Sequence, residues 1–296
     1  MAISPHILRG FGVSDLADWL SRWTGAPAML VTVVDAQGSV PRERGAWMGV
    51  GPDGQWGTIG GGHLEWDALR QCRERLAQGG GTGGESWTQR VALGPRLGQC
   101  CGGVVSLRYE AVGGWDPAEL DRRLRPPASP VALFGGGHVG RAVVQALTPL
   151  PFRVRWVDSR DEAFPDGLPA HVEPEHSDPV HGAVADLLPG SAVLIMSFSH
   201  AEDLDIVAAC LERQRRADDL PWVGLIGSKT KWATFRHRLA ERGFTAGELA
   251  HVTCPIGLPG IVGKEPAVIA ASVVAQLLLE FARPPMAPPG AGSSGL

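Results

Sequence analysis

The chain has 296 residues, of which 44% are hydrophobic and 20% are charged, so one large domain or two ordinary ones can form packed cores. Its formal net charge of −4 excludes a general nucleic-acid binder, which needs a basic surface to meet phosphates. Apolar runs such as 268–279 are too short to span a bilayer, and no apolar core follows the basic residue Arg9, so we expect a cytoplasmic protein with no membrane partner.

Residue patterns in 1–112 predict an N-terminal domain of mixed α/β structure. Apolar residues at helical spacing alternate with apolar runs of strand length, and the Pro-Asp-Gly sequence at 52–54 marks a hairpin. Loops rich in glycine or polar residues separate these elements at 38–45 and at 60–63. The predicted elements are helices at 14–23 and 64–77 and strands at 29–34, 46–50, 55–59 and 104–109.

The segment 113–130 contains four prolines, and we expect it to be a linker between domains. Beyond it, strand-like and helix-like runs alternate, which is typical of a parallel sheet with right-handed crossovers. The sequence therefore predicts an α/β protein whose C-terminal domain, 131–281, is Rossmann-like with a mainly parallel sheet. We expect 282–296, rich in Pro, Gly and Ser, to be a disordered tail. The predicted strands are 131–134, 154–157, 192–198 and 222–226, and the predicted helices are about 138–147, 180–188, 203–216, 229–242 and 266–281.

A glycine loop joins the first of these strands to its helix. Gly135 permits a tight turn, Gly137 lets the backbone approach a phosphate, and Gly140 lets the helix pack on the strand. The helix start offers unpaired amides and a positive dipole end to an anion. Asp158 ends the next strand, where an acid would meet a ribose hydroxyl of NAD, whereas the nearby Arg160 suits an extra phosphate. A Rossmann-like fold that binds no NAD remains an equal alternative.

Adjacent cysteines lie in a second unusual segment, Gln99-Cys100-Cys101-Gly102-Gly103. Neighbouring Cα atoms are about 3.8 Å apart, below the usual disulfide span, so a bond between the two sulfurs would be strained. Thiolates in such a loop suit a soft metal or a sulfur-transfer step, although two small residues entering the next strand are an equal alternative. The chain has five cysteines and no CxxC pair, which indicates reduced thiols and no structural zinc; we expect the other three to pack in the core, namely Cys72, Cys210 and Cys254.

Further candidate contacts occupy loops of the N-terminal domain. His63 follows the glycines at 60–62 at a helix start, where the loop either contacts an anion or pterin or forms a tight turn with Glu65 favouring the helix. Arg42 and Arg44 lie in a polar loop and either meet a phosphate or remain solvated.

Other candidates follow strands of the C-terminal domain, since ligands of doubly wound folds bind where parallel strands end. His138 lies at the first helix start; for it, as for His63, a hydrogen bond to a ligand and a capping or solvent-exposed role are equal alternatives. His200 with Asp203 suits an acid–base pair, unless Asp203 caps the following helix. Lys229 is a candidate phosphate contact, and Ser228 is a candidate cap of its helix.

Taken in order, these motifs make the chain resemble the XdhC (XdhC/CoxI) family of xanthine dehydrogenase accessory proteins over about residues 13–281. The segments that carry the resemblance are 38–42, 57–65, 97–103, 134–140, 157–160, 199–205, 224–229 and 255–258. The form of the cysteine motif is similar to the xanthine dehydrogenase branch rather than to the CO-dehydrogenase-associated branch.

The resemblance implies a chaperone rather than an enzyme. Such a protein binds the molybdenum cofactor (molybdopterin), protects it, promotes its sulfuration with a cysteine desulfurase and inserts it into the xanthine dehydrogenase apoenzyme, acting as a homodimer. On this basis we expect Cys100 and Cys101 to contact the metal, with Gln99 beside them. The glycine loop would hold the cofactor phosphate.

Two rival hypotheses remain. The first is an NAD(P)-dependent oxidoreductase, in which Asp158 holds the ribose and His200 does acid–base work. The second is an adaptor that binds the desulfurase and the target without holding the cofactor.

Overall fold

The computed structural model describes residues 13–52, 54–94, 102–125 and 127–282. The chain divides into two units, Met1–Pro126 and Pro127–Leu296. No helix in the described ranges is long and apolar enough to cross a membrane.

The first unit is built on a five-stranded antiparallel sheet. Its strand order is β3-β2-β1-β5-β4, and a bulge lies between Val33 and Asp35 where β1 pairs with β5. Its elements are α1 (Val13–Arg22), β1 (Met29–Gln37), β2 (Trp47–Val50), β3 (Gln55–Gly57), α2 (Gly62–Ala77), β4 (Ser86–Ala92), β5 (Val104–Ala111) and α3 (Pro117–Leu124).

Alternation along β1 explains the layers of this unit. Successive side chains of a strand point to opposite faces of the sheet. Met29 and Val31 join a cluster that includes Leu64 of α2, whereas Leu30 joins Trp19 of α1 in another. The sheet therefore lies between α2 on one face and α1 with α3 on the other.

The second unit is a parallel six-stranded sheet with helices on both faces, which confirms the predicted Rossmann-like domain. Its strand order is β11-β10-β9-β6-β7-β8, and every neighbouring pair is parallel. Its strands are β6 (Ser129–Phe134), β7 (Phe152–Asp158), β8 (Val172–His176), β9 (Ala192–Ile195), β10 (Trp222–Leu225) and β11 (Val252–Thr253). Its helices are α4 (His138–Leu147), α5 (His200–Ala217), α6 (Lys229–Glu241), α7 (Ala246–Leu249) and α8 (Pro266–Ala282), with short 3-10 helices at Asp161–Ala163 and Val180–Asp186.

The order of the strands locates the place where this fold binds ligands. From β6 the chain builds β7 and β8 on one side and then continues with β9 on the other. The C-terminal ends of β6 and β9 therefore flank a topological switch point, where doubly wound sheets open a crevice. The glycine loop after β6 and the loop after β9 both lie at this switch point.

The segment predicted to be a linker is not irregular throughout. Within 113–130, the helix α3 forms, and β6 begins at Ser129. Asp116 caps α3 by accepting a hydrogen bond from the Ala118 amide, and Pro117 occupies the first helical turn, where its missing amide costs nothing. Leu120 is buried by this arrangement. The helix predicted near 180–188 is instead the 3-10 helix Val180–Asp186, and the predicted tail lies outside the described residues beyond Ala282.

Candidate functional site

The glycine loop after β6 has two glycines that the packing requires. Gly135 adopts a φ of 126°, and a Cβ atom there would lie 2.0 Å from the Met196 carbonyl oxygen. A Cβ atom at Gly140 would lie 2.0 Å from the Gly135 carbonyl oxygen. Gly135 thus allows the loops after β6 and β9 to approach each other closely at the switch point. Gly140 allows α4 to approach the end of β6.

Gly137 has a different environment, because no protein atom lies within 4 Å of the position a Cβ would take. It is the N-cap residue of α4 and provides no capping side chain. No described group accepts a hydrogen bond from the amides of residues 137–140. These unpaired donors at a positive helix end, facing open space, form a cradle that suits a phosphate group.

Side chains hold the cradle in shape from behind. Trp156 of β7 donates its indole Nε1–H to the Gly135 carbonyl oxygen at 3.0 Å. Arg141 of α4 donates to the carbonyl oxygens of Gly136 at 3.2 Å and of Ala163 at 2.9 Å. Because the loop carbonyls are bonded to protein, the free amides are already oriented before a ligand arrives.

Asp158 is only 2% exposed and is fully occupied by protein donors. Its Oδ1 accepts from the Arg160 amide at 2.9 Å and from Arg160 Nε at 2.8 Å. Its Oδ2 accepts from the Gly136 amide at 2.5 Å and from Arg160 Nη2 at 2.9 Å. A carboxylate has about four lone-pair sites, so no free acceptor remains for a ribose hydroxyl.

The electrostatics of Asp158 follow from these bonds. Burial raises the pKa of the carboxyl, but the hydrogen bonds from Arg160 and from the Gly136 amide lower it by more than burial raises it. The pKa therefore lies below its usual value. The carboxylate is therefore ionised at neutral pH and forms an ion pair with Arg160.

The loop after β9 is organised by Asp203 and not by His200. Asp203 accepts from the Ser197 amide at 2.9 Å and forms a buried ion pair with Lys231 Nζ at 2.5 Å. Ser199 provides the cap of α5, since its hydroxyl accepts from the Glu202 amide. His200 is exposed, and its ring packs edge-on against the ring of Phe235. The structure therefore does not bring His200 and Asp203 together as an acid–base pair.

The other sequence-predicted contacts of this unit are at the surface. His138 and Lys229 are both exposed, at the starts of α4 and α6. Ser228 caps α6 by accepting from the Lys231 amide at 3.1 Å. The lysine of α6 that packs inwards is thus Lys231, with its side chain 11% exposed, and the sequence pattern did not single it out.

In the first unit, the side chain of Glu65 occupies the hydrogen-bond donors of the glycine loop before α2. The Glu65 carboxylate accepts from the Ile59 amide at 3.0 Å and from the Gly61 amide at 3.1 Å, and also from the Thr58 hydroxyl. The protein's own anion thus occupies the donors that an external one would need, which favours the tight-turn interpretation. His63 lies exposed beside this loop.

Gln99, Cys100 and Cys101 lie outside the described residues, but their C-terminal flank is defined. The Gly103 amide donates to the Ser39 carbonyl oxygen at 3.0 Å, and a Cβ at Gly103 would lie 2.5 Å from that oxygen. A Cβ at Gly60 would lie 2.6 Å from the Pro41 Cβ. Three motifs of this unit, 38–42, 57–65 and the end of 97–103, therefore adjoin one another.

The described cysteines are packed thiols. Burial raises the pKa of Cys72 and of Cys210 to about 12, and that of Cys254 to about 11. Such thiols are poor nucleophiles and poor metal ligands at neutral pH. Among the residues that the structure describes, no group of three or more His, Cys, Asp or Glu side chains is placed to hold a metal ion.

Sequence patterns did not identify the side chains that shape the cradle. Trp156 and Asp158 are two residues apart on β7, so their side chains point to the same face of the sheet. That spacing was the available signal in the sequence that both lie near the glycine loop. The tryptophans of the first unit form a cluster, in which Trp19 stacks on Trp47 and Trp56 at centroid distances of 5.5 and 5.7 Å. This stack packs against Gly49, where a Cβ would lie 2.7 Å from the Trp19 ring.

Comparison with known proteins matches each unit separately. The model described as the XdhC Rossmann domain matches residues 131–277, and the model of the XdhC and CoxI family matches residues 22–88. The uncharacterized protein YqeB of Escherichia coli K12 is 29% identical over 265 residues, which cover 85% of this chain and 43% of YqeB. The chain thus spans less than half the length of that curated relative.

A crystal structure from Bacillus halodurans, described as a xanthine dehydrogenase, has the same fold. It superposes with a TM-score of 0.71 at 20% sequence identity, covering 93% of this chain and 98% of that chain. The match extends over both units.

Proposed function

The chain belongs to the XdhC family, with one family model on each of its two units, and we propose from this premise that it is an accessory protein of xanthine dehydrogenase. In this proposal it binds the molybdenum cofactor, protects it, supports its sulfuration by a cysteine desulfurase and delivers it to the apoenzyme. We further propose that it is a homodimer in the cytoplasm and catalyses no reaction of its own.

One observation supports cofactor binding most directly, namely the cradle at the start of α4. Molybdopterin carries a terminal phosphate, and the cradle offers unpaired amides at a helix N-terminus in front of open space at Gly137. Gly135 and Gly140 would give the cradle its shape, and His138 is exposed at its edge. The residues present therefore fit the phosphate end of the cofactor.

The metal end of the cofactor would be held by soft ligands. Cys100 and Cys101, next to Gln99, are the proposed sulfur contacts, because thiolates suit molybdenum and the described cysteines have pKa values too high for that role. His63, His200 and Lys229 are exposed and remain proposed contacts. When bound, the cofactor would supply the molybdenum chemistry, whereas the chain would hold and shield it.

The cysteine role can be tested with a double variant. Purified protein carrying Cys100→Ala and Cys101→Ala should bind molybdopterin cofactor at least tenfold more weakly than the parent and activate apo-xanthine dehydrogenase less. Cys254→Ala is the matched control, since it removes a thiol whose pKa is raised by burial. Unchanged binding and unchanged activation in the double variant would remove the cysteines from the proposal.

A second candidate function is an NAD(P)-dependent oxidoreductase, favoured by the strand order and by the glycine loop at the switch point. It requires Asp158 to accept from a ribose hydroxyl. In the structure that carboxylate has no free lone pair, so this candidate needs Arg160 to leave its present position. The accessory function needs no such change.

A further inference from the structure

The loop after β7 crosses the switch point. The strands β7 and β9 lie on opposite sides of β6, so a contact between their C-terminal loops passes over the end of β6, where the cradle begins. Two such contacts exist. The Arg160 guanidinium lies 4.7 Å from the centroid of the Phe198 ring, and the Ser159 hydroxyl donates to Glu202 at 2.7 Å. We call these four residues the bridge.

The bridge is anchored at both ends. Asp158 holds Arg160 by its backbone amide and by two guanidinium nitrogens, while the same carboxylate accepts from the Gly136 amide of the glycine loop. On the other side, the Glu202 amide donates to the Ser199 cap of α5. The contacts are polar and directional at each end, so the bridge is fixed to the rigid ends of β7 and α5.

A dinucleotide in a Rossmann domain needs the space that the bridge fills. Its pyrophosphate lies on the glycine loop, its ribose bonds to the acid that ends the second strand, and the nucleoside crosses the crevice at the switch point. Here that acid is saturated, and Arg160 stacked on Phe198 lies over the crossing. The amides of residues 137–140 remain free, and the space at Gly137 remains open.

We propose that the bridge is a specificity device, which lets the cradle take a single terminal phosphate and excludes the second nucleoside of a dinucleotide. Arg160 is its central residue, because it both fills the lone pairs of Asp158 and covers Phe198. The proposal rests on the proposed function for the identity of the phosphate ligand. It adds that the ligand is a phosphate monoester, and that NAD, NADP and dinucleotide forms of a pterin cofactor do not bind.

The experiment is a titration of the full chain with NADH, followed by the fluorescence of the nicotinamide ring. The parent should bind NADH with a dissociation constant above about 1 mM. Arg160→Ala frees lone pairs of Asp158 and uncovers the crossing, so it should bind NADH at least tenfold more tightly than the parent. Arg153→Ala, which removes an exposed arginine of β7 paired with Glu173, is the matched control and should not change binding.

A second variant, Phe198→Ala, tests the bridge independently in case Arg160→Ala does not fold. The Phe198 side chain is 69% exposed, so Phe198→Ala should leave the core intact while removing the surface on which Arg160 rests. Micromolar NADH binding by the parent would overturn the proposal. So would two folded variants that both fail to gain affinity for NADH. The proposed function fails separately, if the parent does not bind molybdopterin cofactor.

Discussion

Asp158 carries a prediction at the scale of a single residue. Its pKa in the folded protein is lower than the usual value of 3.8, because hydrogen bonds to the carboxylate outweigh the effect of burial. A group with a depressed folded pKa contributes stability above its unfolded pKa and loses that contribution as the pH falls through its folded pKa. The stabilisation by Asp158 is therefore complete at neutral pH and is lost in acid, below about 4.

We predict that Asp158→Asn lowers the free energy of unfolding by about 2 kcal/mol at pH 7, the range for hydrogen bonds to a charged group. The difference from the parent should shrink as the pH is lowered towards 3, because the carboxyl of the unfolded parent then binds a proton and the unfolded state is favoured. Urea unfolding at several pH values measures this difference. Asp161→Asn, on an exposed side chain, is the control. A difference that stays constant between pH 7 and pH 3 would be inconsistent with the bonding described for Asp158.

The same residue shows the limit of inference from sequence. The position of an acid at the end of β7 was predictable from the spacing of the glycine motif. Its saturation by Arg160 was not, because that depends on the direction of a flexible side chain and on the approach of the Gly136 amide. Glu65 is similar, since only the folded loop shows that its carboxylate fills the amides of Ile59 and Gly61.

At the scale of elements, the two ends of the glycine loop should respond differently to the same substitution. Gly140→Ala places a Cβ atom 2.0 Å from the Gly135 carbonyl oxygen, so the helix must move away from its strand. We expect a loss of about 2 kcal/mol or more in stability, as for an overpacked core. Gly137→Ala meets no atom within 4 Å and has a φ of −72°, so its cost should be about 0.5–1 kcal/mol, near the difference between alanine and glycine as N-cap residues.

Thermal or urea unfolding of the two variants measures this contrast. Equal destabilisation by Gly137→Ala and Gly140→Ala would mean that the loop does not have the close helix–strand approach seen here. The contrast also separates the packing role of Gly140 from the open position of Gly137.

Elements were predictable where they are buried on a regular period. Of the four edge strands described, only β3 was predicted, because the hairpin signal at 52–54 precedes it. The strands that the sequence did not indicate are β4, β8 and β11, and each lies at an edge of its sheet. An edge strand buries fewer side chains, as the mostly exposed pattern of β4 shows, so its apolar signal is weak. The helix α3 was missed for another reason, because the prolines around it are typical of a linker while Pro117 in fact suits a helix start.

At the scale of the whole molecule, the family of the chain and the geometry of one loop bear on the same question, namely what the second unit binds. Each unit carries a family model, and the second unit has its glycine loop at the switch point of a doubly wound sheet. The loop presents free amides, while Asp158 and the bridge occupy the region that a dinucleotide would need. The proposed function requires the cradle at the start of α4 to hold the phosphate of the molybdenum cofactor.

The most direct measurement is the affinity of the full chain for molybdopterin cofactor when Gly137 is changed to Asp. Gly137 occupies the N-cap position, where Asp is a better cap than Gly by a few tenths of a kcal/mol, so the fold should be kept or slightly stabilised. The new carboxylate would lie in the open space of the cradle and repel a phosphate. Gly182→Asp, at an exposed glycine with no atom closer than 3.9 Å to its Cβ position, controls for the added charge.

With the cofactor phosphate in the cradle, we expect at least a tenfold loss of affinity in Gly137→Asp, equivalent to about 1.4 kcal/mol, with an unchanged or higher melting temperature and no loss in Gly182→Asp. Full affinity for the cofactor in a folded Gly137→Asp protein would contradict this placement of the phosphate.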